Sequence, residues 1–216
     1  MVRLVKGAYW DSEIKRAQVL GEPDFPVFTR KAHTDVSYLA NARKLLGMTD
    51  RIYPQFATHN AHTIAAILAL NPDPQSFEFQ RLHGMGEALH EEVMRRHATR
   101  LRVYAPVGVH KDLLAYLVRR LLENGANSSF VHQVLDSAVP IPRVVADPVA
   151  AARAEGFSPN ARIPAPPALY GASRRNSIGW NLDDPASASA LDEAMAPWRR
   201  ATWRAGDGAE ELAVRN

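Results

Sequence analysis

LRVYAPVGVHKDLLAYLVRRLLENG, residues 101 to 125, decides how this chain is read. Its first seven residues, rich in valine and tyrosine, read as a strand. The remainder reads as a helix with two opposed stripes. Leu114, Leu117, Val118 and Leu121 recur at helical spacing and make an apolar face. Tyr116, Arg119, Arg120 and Glu123 recur at the same spacing, about 200° round from it. Gly125 is placed to stop the helix, because glycine adopts left-handed dihedrals without steric cost. Taken alone, the polar stripe fits a surface helix facing water. It also fits a pocket wall in which a tyrosine and two adjacent guanidinium groups receive a carboxylate. Arginine suits that task because its planar fork meets a carboxylate with two parallel hydrogen bonds.

The same strand-then-helix unit recurs upstream. Residues 2 to 6, VRLVK, read as a buried strand. GAYWDSEIKRAQVLG (7–21) reads as a glycine turn and a short helix capped by Asp11 or Ser12. After a loop with two prolines, RKAHTDVSYLANARKLLGM (30–48) is a long amphipathic helix. Val36, Leu39, Ala40, Leu45 and Leu46 form its apolar face. RIYPQFAT (51–58) is a second strand that Pro54 weakens. A helix follows from about Asn60 to Asn71-Pro72. FEFQRL (77–82) is a third strand, and HGMGEALHEEVMRR (83–96) is a glycine turn running into a helix.

Strand then helix, four times over, argues for an α/β fold of parallel strands joined by right-handed crossovers. In such folds chemistry sits at the carboxyl ends of the strands. Polar and aromatic residues collect at those ends: Lys6 to Trp10, Thr58 to Asn60, Leu82 to Gly86, and Tyr104. That clustering strengthens the pocket reading of Arg119 and Arg120. Four strands do not close a parallel barrel, which takes about eight. The expectation is a small open sheet or half of a barrel, and the strand at residue 2 favours the half-barrel.

With 216 residues, 46% hydrophobic and 23% charged, the chain can bury the core of one domain, with or without a tail. A net charge of +3 is too small to argue for nucleic acid. There are no cysteines, hence no disulfides and no thiolate chemistry, which fits the cytoplasm. No apolar run approaches a membrane span, so a membrane would be met only at the surface. After about Pro140 alanine, proline and arginine dominate, which divides the chain into 1–139 and 140–216. RIPAPPAL (162–169) reads as a linker, and helical periodicity returns at 187 to 198. Trp180, Trp198 and Trp203 suit a tail that docks on something.

Each strand end has a chemical and a structural reading. Lys6, Tyr9 and Trp10 could face a ligand, or be a snorkelling lysine and two interface aromatics. Thr58, His59 and Asn60 precede a helix whose backbone N–H groups favour an anion. His59 and His62 lack the further ligands a metal needs, so no metal is expected. LHGMGE (82–87) is a phosphate cradle or a tight connection. There is no nucleophile elbow, P-loop or dinucleotide fingerprint. Arginines, tyrosines, lysine and histidine without a nucleophile or metal suit a bound organic cofactor that carries the reaction.

RLVKGAYWDSEIKRAQ, PVFTRKAHTDVSYLA, YPQFATHNAHT, FEFQRLHGMGE, YAPVG and LLAYLVRRLLENGANSSF, in this order, cover most of residues 2 to 130. They resemble the proline dehydrogenase domain of the bacterial bifunctional proline utilization A flavoenzymes. ALYGASRRNSIGWNL resembles the segment leading into that family's second, aldehyde dehydrogenase domain. The resemblance implies that residues 1–139 are the last four strand–helix units of a (β/α)8 barrel. Residues 140–216 would be a Pro/Ala-rich, partly irregular tail that begins the aldehyde dehydrogenase region. It further implies that FAD oxidises L-proline to pyrroline-5-carboxylate by hydride transfer to flavin N5. A membrane quinone would reoxidise the flavin, with the protein cytoplasmic and peripheral at the inner membrane surface.

By position in the family, Arg119 and Arg120 clamp the proline carboxylate, while Tyr9, Leu82, Tyr104 and Tyr116 wall its ring. Arg3 lies near flavin N5. Val5, Lys6, Gly7, Ala8 and Trp10 hold the isoalloxazine and its tail. Thr29, Lys31, Thr58, His59, Asn60, Gln80, Glu123 and Ser129 match other FAD-contact positions. The family's earlier strands supply a further basic residue, an acidic residue and a glutamine that this chain lacks. The resemblance therefore carries the expectation of an incomplete barrel that needs its other half, and the aldehyde dehydrogenase domain, as partners. Alone, such a chain should bind FAD poorly.

Overall fold

A computed structural model describes residues 1–7, 9–71, 73–125, 130, 133 and 136–202, with backbone only at 124 and 125. Ala8, Ser129 and Trp203 lie outside the described residues.

The expected alternation forms. Strand β1 (Val2–Leu4) is followed by α1 (Trp10–Leu20) and α2 (Lys31–Leu46). Then come β2 (Pro54–Ala57), α3 (Ala61–Leu70), β3 (Glu78–Leu82), α4 (Glu87–His97), β4 (Arg100–Tyr104) and α5 (His110–Gly125). The strands make one parallel sheet in the order β1-β2-β3-β4. Pro54 opens β2, where a missing N–H costs no ladder bond.

Register gives the sheet two chemically different faces. Leu4, Phe56, Phe79 and Leu101 lie in one row. With Tyr38 and Ala42 of α2, Ile64 and Ile67 of α3 and Val93 of α4, they make the core. The alternate rows run Arg3–Gln55–Glu78–Arg100, then Ala57–Gln80–Arg102, then Leu82–Tyr104. Side chains alternate across a strand, so this second, polar face looks away from the core.

Two local expectations are corrected. Asp11 and Ser12 do not cap α1; both lie inside it, and the Tyr9 carbonyl accepts the first bond, from Glu13 N–H at 2.9 Å. α2 buries Tyr38 and Ala42 rather than Ala40, which is exposed. The reason is that Tyr38 reaches both β1 and β2, its hydroxyl lying 3.3 Å from the Leu4 carbonyl and 3.2 Å from that of Ala57. For α5, exposure separates the two readings left open by the sequence. The apolar stripe of α5 faces outward, with Leu114 55% and Leu121 72% exposed. Tyr116, Arg119, Arg120 and Glu123 are the half-buried face.

Two compact units divide the chain. Residues Met1–Arg16 and Phe25–Pro164 form the first. It retains α6 (Ile141–Val144) and α7 (Pro148–Ala154), the latter burying Pro148 and Ala152 as it packs on α2. This unit thus continues past the change of composition near 140. Ala17–Asp24 and the segment from Ala165 onward form the second unit. There the 3₁₀ turn Pro166–Ala168 lies inside the expected linker, and α8 (Pro185–Arg199) is capped by Asp184. Within this unit, hydrogen bonds to backbone carbonyls hold the tail. Gly179 N–H donates to the Leu20 carbonyl at 2.7 Å, and Asn176 Nδ2 to that of Gln18 at 2.7 Å. Gly21, at φ +65°, has no alternative, since a Cβ would stand 1.7 Å from the Ser177 carbonyl oxygen. Trp180 and Trp198 are 50% and 62% exposed.

Candidate active site

The carboxyl edge of the sheet gathers the predicted cations and rings. The Arg3 guanidinium lies 5.8 Å over the ring of Tyr104, joining β1 to the end of β4. The Arg119 guanidinium lies 5.2 Å over Tyr9, in the turn after β1. Arg120 lies 5.1 Å over Tyr116 and 3.2 Å from Glu123, both on its own helix. Cation–π contacts of this kind hold a guanidinium in place while leaving its N–H edge for another partner. Among the described residues no carboxylate pairs with Arg119. Arg120 Nε is buried without a hydrogen-bond partner. A half-buried arginine without a carboxylate keeps its N–H edge free for one.

His59 ties two strand ends together. Its Nε2 accepts from Leu82 N–H at 3.1 Å, so the ring proton is on Nδ1. Burial, helped by His90, Arg120 and Arg81, holds its pKa down at about 4. The ring is therefore neutral near pH 7. His90 stands edge-on to it with centroids 6.5 Å apart, and His90 Nε2–H donates to the Thr58 carbonyl at 3.0 Å. Burial likewise lowers the His90 pKa. Gly86, the αL residue before α4, makes room for this pair, since a Cβ there would come within 3.0 Å of His59 Cδ2. The glycine-rich LHGMGE turn thus serves a close approach of side chain to backbone.

Other predicted residues have protein partners of their own. Asn60 caps α3, its Oδ1 accepting from Thr63 N–H at 3.2 Å, and Thr58 Oγ1 accepts from Asn60 N–H at 3.1 Å. Lys6 has the same parity as Leu4 and turns to the helix side, where its Nζ meets Asp35 Oδ1 at 2.6 Å. Lys31 reaches Asp35 Oδ2 at 2.6 Å. Burial lowers the Lys6 pKa against the pull of Asp35. Burial opposes the charge of Asp35 in turn, yet the two lysines hold its carboxyl below the usual range. Lys6 and Lys31 thus converge with each other and not with Arg119. Trp10 donates from Nε1 to the Phe28 carbonyl at 2.8 Å, and Thr29 Oγ1 accepts from Asn160 N–H at 2.8 Å. Val5 is 57% exposed, and open space surrounds Gly7.

The polar sheet face holds the predicted Gln80 beside Gln55, Glu78 and Arg102, which sequence reading missed. Glu78, 5% exposed, accepts from Gln55 Nε2 and from Arg102 through both oxygens. Burial opposes its ionisation, but those bonds keep its carboxyl below the usual range. Above it Gln80 is 4% exposed, and its Oε1 has no partner. The signal was present in FEFQRL, where Phe77 and Phe79 alternate with Glu78 and Gln80. That is a strand with one apolar and one polar side. Two concavities lie at the opposite end, by the carboxyl ends of α2 and α3, lined by Arg43, Leu70 and Asn71 among others.

A parallel sheet with cations and tyrosines gathered at its carboxyl edge defines an α/β protein of the class whose ligands bind, as a rule, at the strand ends. A family model described as proline dehydrogenase matches residues 1–133. The chain is 54% identical over 218 residues to the bifunctional protein PutA of Klebsiella aerogenes, covering 92% of this chain and 17% of that protein. To the bifunctional protein PutA of Escherichia coli (strain K12) it is 53% identical over 219 residues, covering 95% and 17%. A solved structure of a Bradyrhizobium japonicum proline utilization A mutant matches with a TM-score of 0.81 at 55% identity, over 92% of this chain and 20% of that one. The chain belongs to the proline dehydrogenase family. It spans about a fifth of the length of these relatives.

Proposed function

We propose that this chain carries the substrate-clamping part of an enzyme that oxidises L-proline to pyrroline-5-carboxylate with FAD, the first step of proline catabolism to glutamate. The observation that carries the reading is the inward turn of the α5 polar stripe. It brings Arg119 and Arg120 to the strand ends, while the leucines of the same helix stay outside.

Proline offers a carboxylate and an apolar ring. Arg119 and Arg120 receive the carboxylate, and Tyr9, Leu82, Tyr104 and Tyr116 wall the ring. Fixing both ends aims one C–H of the ring, an orientation effect. Hydride loss builds positive charge on the ring, so an aromatic wall that excludes water protects the resulting imine.

The residues fit a flavin. Gln80 presents a buried acceptor without a partner on the polar sheet face, and Arg120 Nε is a buried donor without one. Gln80, Arg3, His59 and Glu123, with the turn after β1, would hold the cofactor's polar edge. Thr29, Lys31, Thr58 and Asn60 would serve its more distant parts. Bound FAD supplies the two-electron acceptor at N5. The neutral His59 can only donate, from Nδ1, so it suits an acceptor oxygen.

The four units are read as the last four of a (β/α)8 barrel. β1 and β4 are both open edges of the sheet, and Tyr104 on its polar face is 41% exposed, which supports this reading. By itself the chain is then expected to hold FAD weakly, and flavin retained through gel filtration by the isolated chain would overturn that expectation. A membrane quinone as acceptor and a cytoplasmic, peripheral location are proposed with the activity. No described helix is long and apolar enough to cross a membrane.

The test is a chimera in which this chain replaces the matching segment of the Escherichia coli relative. A yellow protein bleached by L-proline is expected. Arg119→Met and Arg120→Met should each lower proline turnover about 10²-fold with the flavin retained, as the loss of charge-assisted hydrogen bonds implies. Unchanged turnover in both variants would sink the clamp.

A further inference from the structure

The turn after α7 lies outside the residues matched by the family model, yet it grips the loop leading into α2. α7 ends with Gly156 N–H bonded to the Arg153 carbonyl at 2.9 Å and Phe157 N–H to that of Ala152 at 2.9 Å. Gly156 has φ +62°, as a turn of this type takes. Phe157 follows at φ +52°, a conformation that an L side chain adopts only when its surroundings impose it. Burial does not impose it, since the ring is 58% exposed. Polar and ring contacts on both sides do. Glu155 Oε1 accepts from Arg30 Nη1 at 3.1 Å, and Arg30 Nε donates to the Ser158 carbonyl at 2.9 Å. The Phe157 ring lies 6.3 Å from His33, which meets Phe28 edge-on at 6.2 Å.

The grip ends at Thr29. Asn160 N–H donates to Thr29 Oγ1 at 2.8 Å, which occupies the hydroxyl as an acceptor. The hydroxyl proton must then point away from Asn160, and Thr29 is left as a donor. Packing α7 on α2 does not require this bond, because Pro148 and Ala152 already bury that contact.

We propose that residues 155–160 are a positioning strap that fixes the Thr29 hydroxyl as a hydrogen-bond donor to an acceptor oxygen of the bound cofactor. The proposal rests on the flavin reading above. It assigns part of the cofactor site's geometry to a segment beyond the matched domain.

The experiment is a double-mutant cycle in the chimeric holoenzyme, with FAD affinity read by flavin fluorescence. Thr29→Val keeps shape and removes the donor, and should weaken FAD binding about tenfold. Thr29→Ser should restore most of it. Glu155→Gln releases Arg30 and should weaken binding severalfold. The double variant Thr29→Val/Glu155→Gln should be no weaker than Thr29→Val alone. Multiplying losses, or a Glu155→Gln variant that melts earlier with unchanged FAD affinity, would reduce the strap to a packing element. An active yellow chimera indifferent to Thr29→Val would remove the strap and leave the proposed function intact. A colourless unsubstituted chimera would remove both.

Discussion

α3 and α5 follow strands of one parallel sheet, and they face opposite ways. α3 turns Ile64 and Ile67 into the core at 2% and 0% exposure. α5 leaves Leu114, Leu117, Val118 and Leu121 between 44% and 72% exposed and turns its arginines inward. Both helices have the periodicity of an amphipathic element. For α3 the orientation follows from burying apolar area against Phe56 and Phe79. For α5 it goes with what lies at the strand ends: Tyr9 beneath Arg119, and His59 near enough for Arg120 to depress its pKa. An amphipathic pattern predicts that two faces exist, and the neighbours decide which one turns inward.

The comparison can be strained at three points. The largest effect belongs to the core. Phe79→Ala should cost about 3–5 kcal/mol in a urea unfolding experiment, the range for deleting a buried aromatic ring. A loss below about 1 kcal/mol would mean that the helix side of the sheet is not the stabilising side.

Next comes the site edge. His59 has its pKa depressed in the fold, to about 4 from 6.5, so the unfolded chain takes up the proton first as pH falls. Its contribution is complete above about pH 6.5 and is lost as pH falls through 4, about 3 kcal/mol at most. Denaturation midpoints between pH 7 and 4 should fall less steeply in His59→Gln than in the parent. Equal slopes would place His59 in water.

The smallest effect should come from the outward face of α5. Leu121→Gln should change the stability of this chain by less than about 0.5 kcal/mol, as exposed substitutions do. A loss comparable to Phe79→Ala would mean that this stripe is buried after all.

The strand–helix order was legible because each element repeats its own short period: alternation in FEFQRL, and spacings of three and four in KDLLAYLVRRLLENG. The strand ends were legible as a group for the same reason. Individual roles were less so. Lys6 sits one residue from Val5, and alternation alone sends the two side chains to opposite faces. Asp35, twenty-nine residues away, then engages Lys6. Gln55, Glu78 and Arg102 share one network through parallel register, which no local pattern fixes. Tyr38 replaced Ala40 in the core because it spans two strands.

Sequence by itself determined the α/β alternation, the polar strand ends, the paired arginines and the glycine turns. Those properties come from spacing along one chain and from the conformational limits of single residues. Tertiary structure alone decided that α5 turns its charges inward, that His59 accepts from Leu82, and that Asn160 reaches Thr29. Each of these depends on contacts between segments distant in sequence, whose relative placement is set by packing and register rather than by local period.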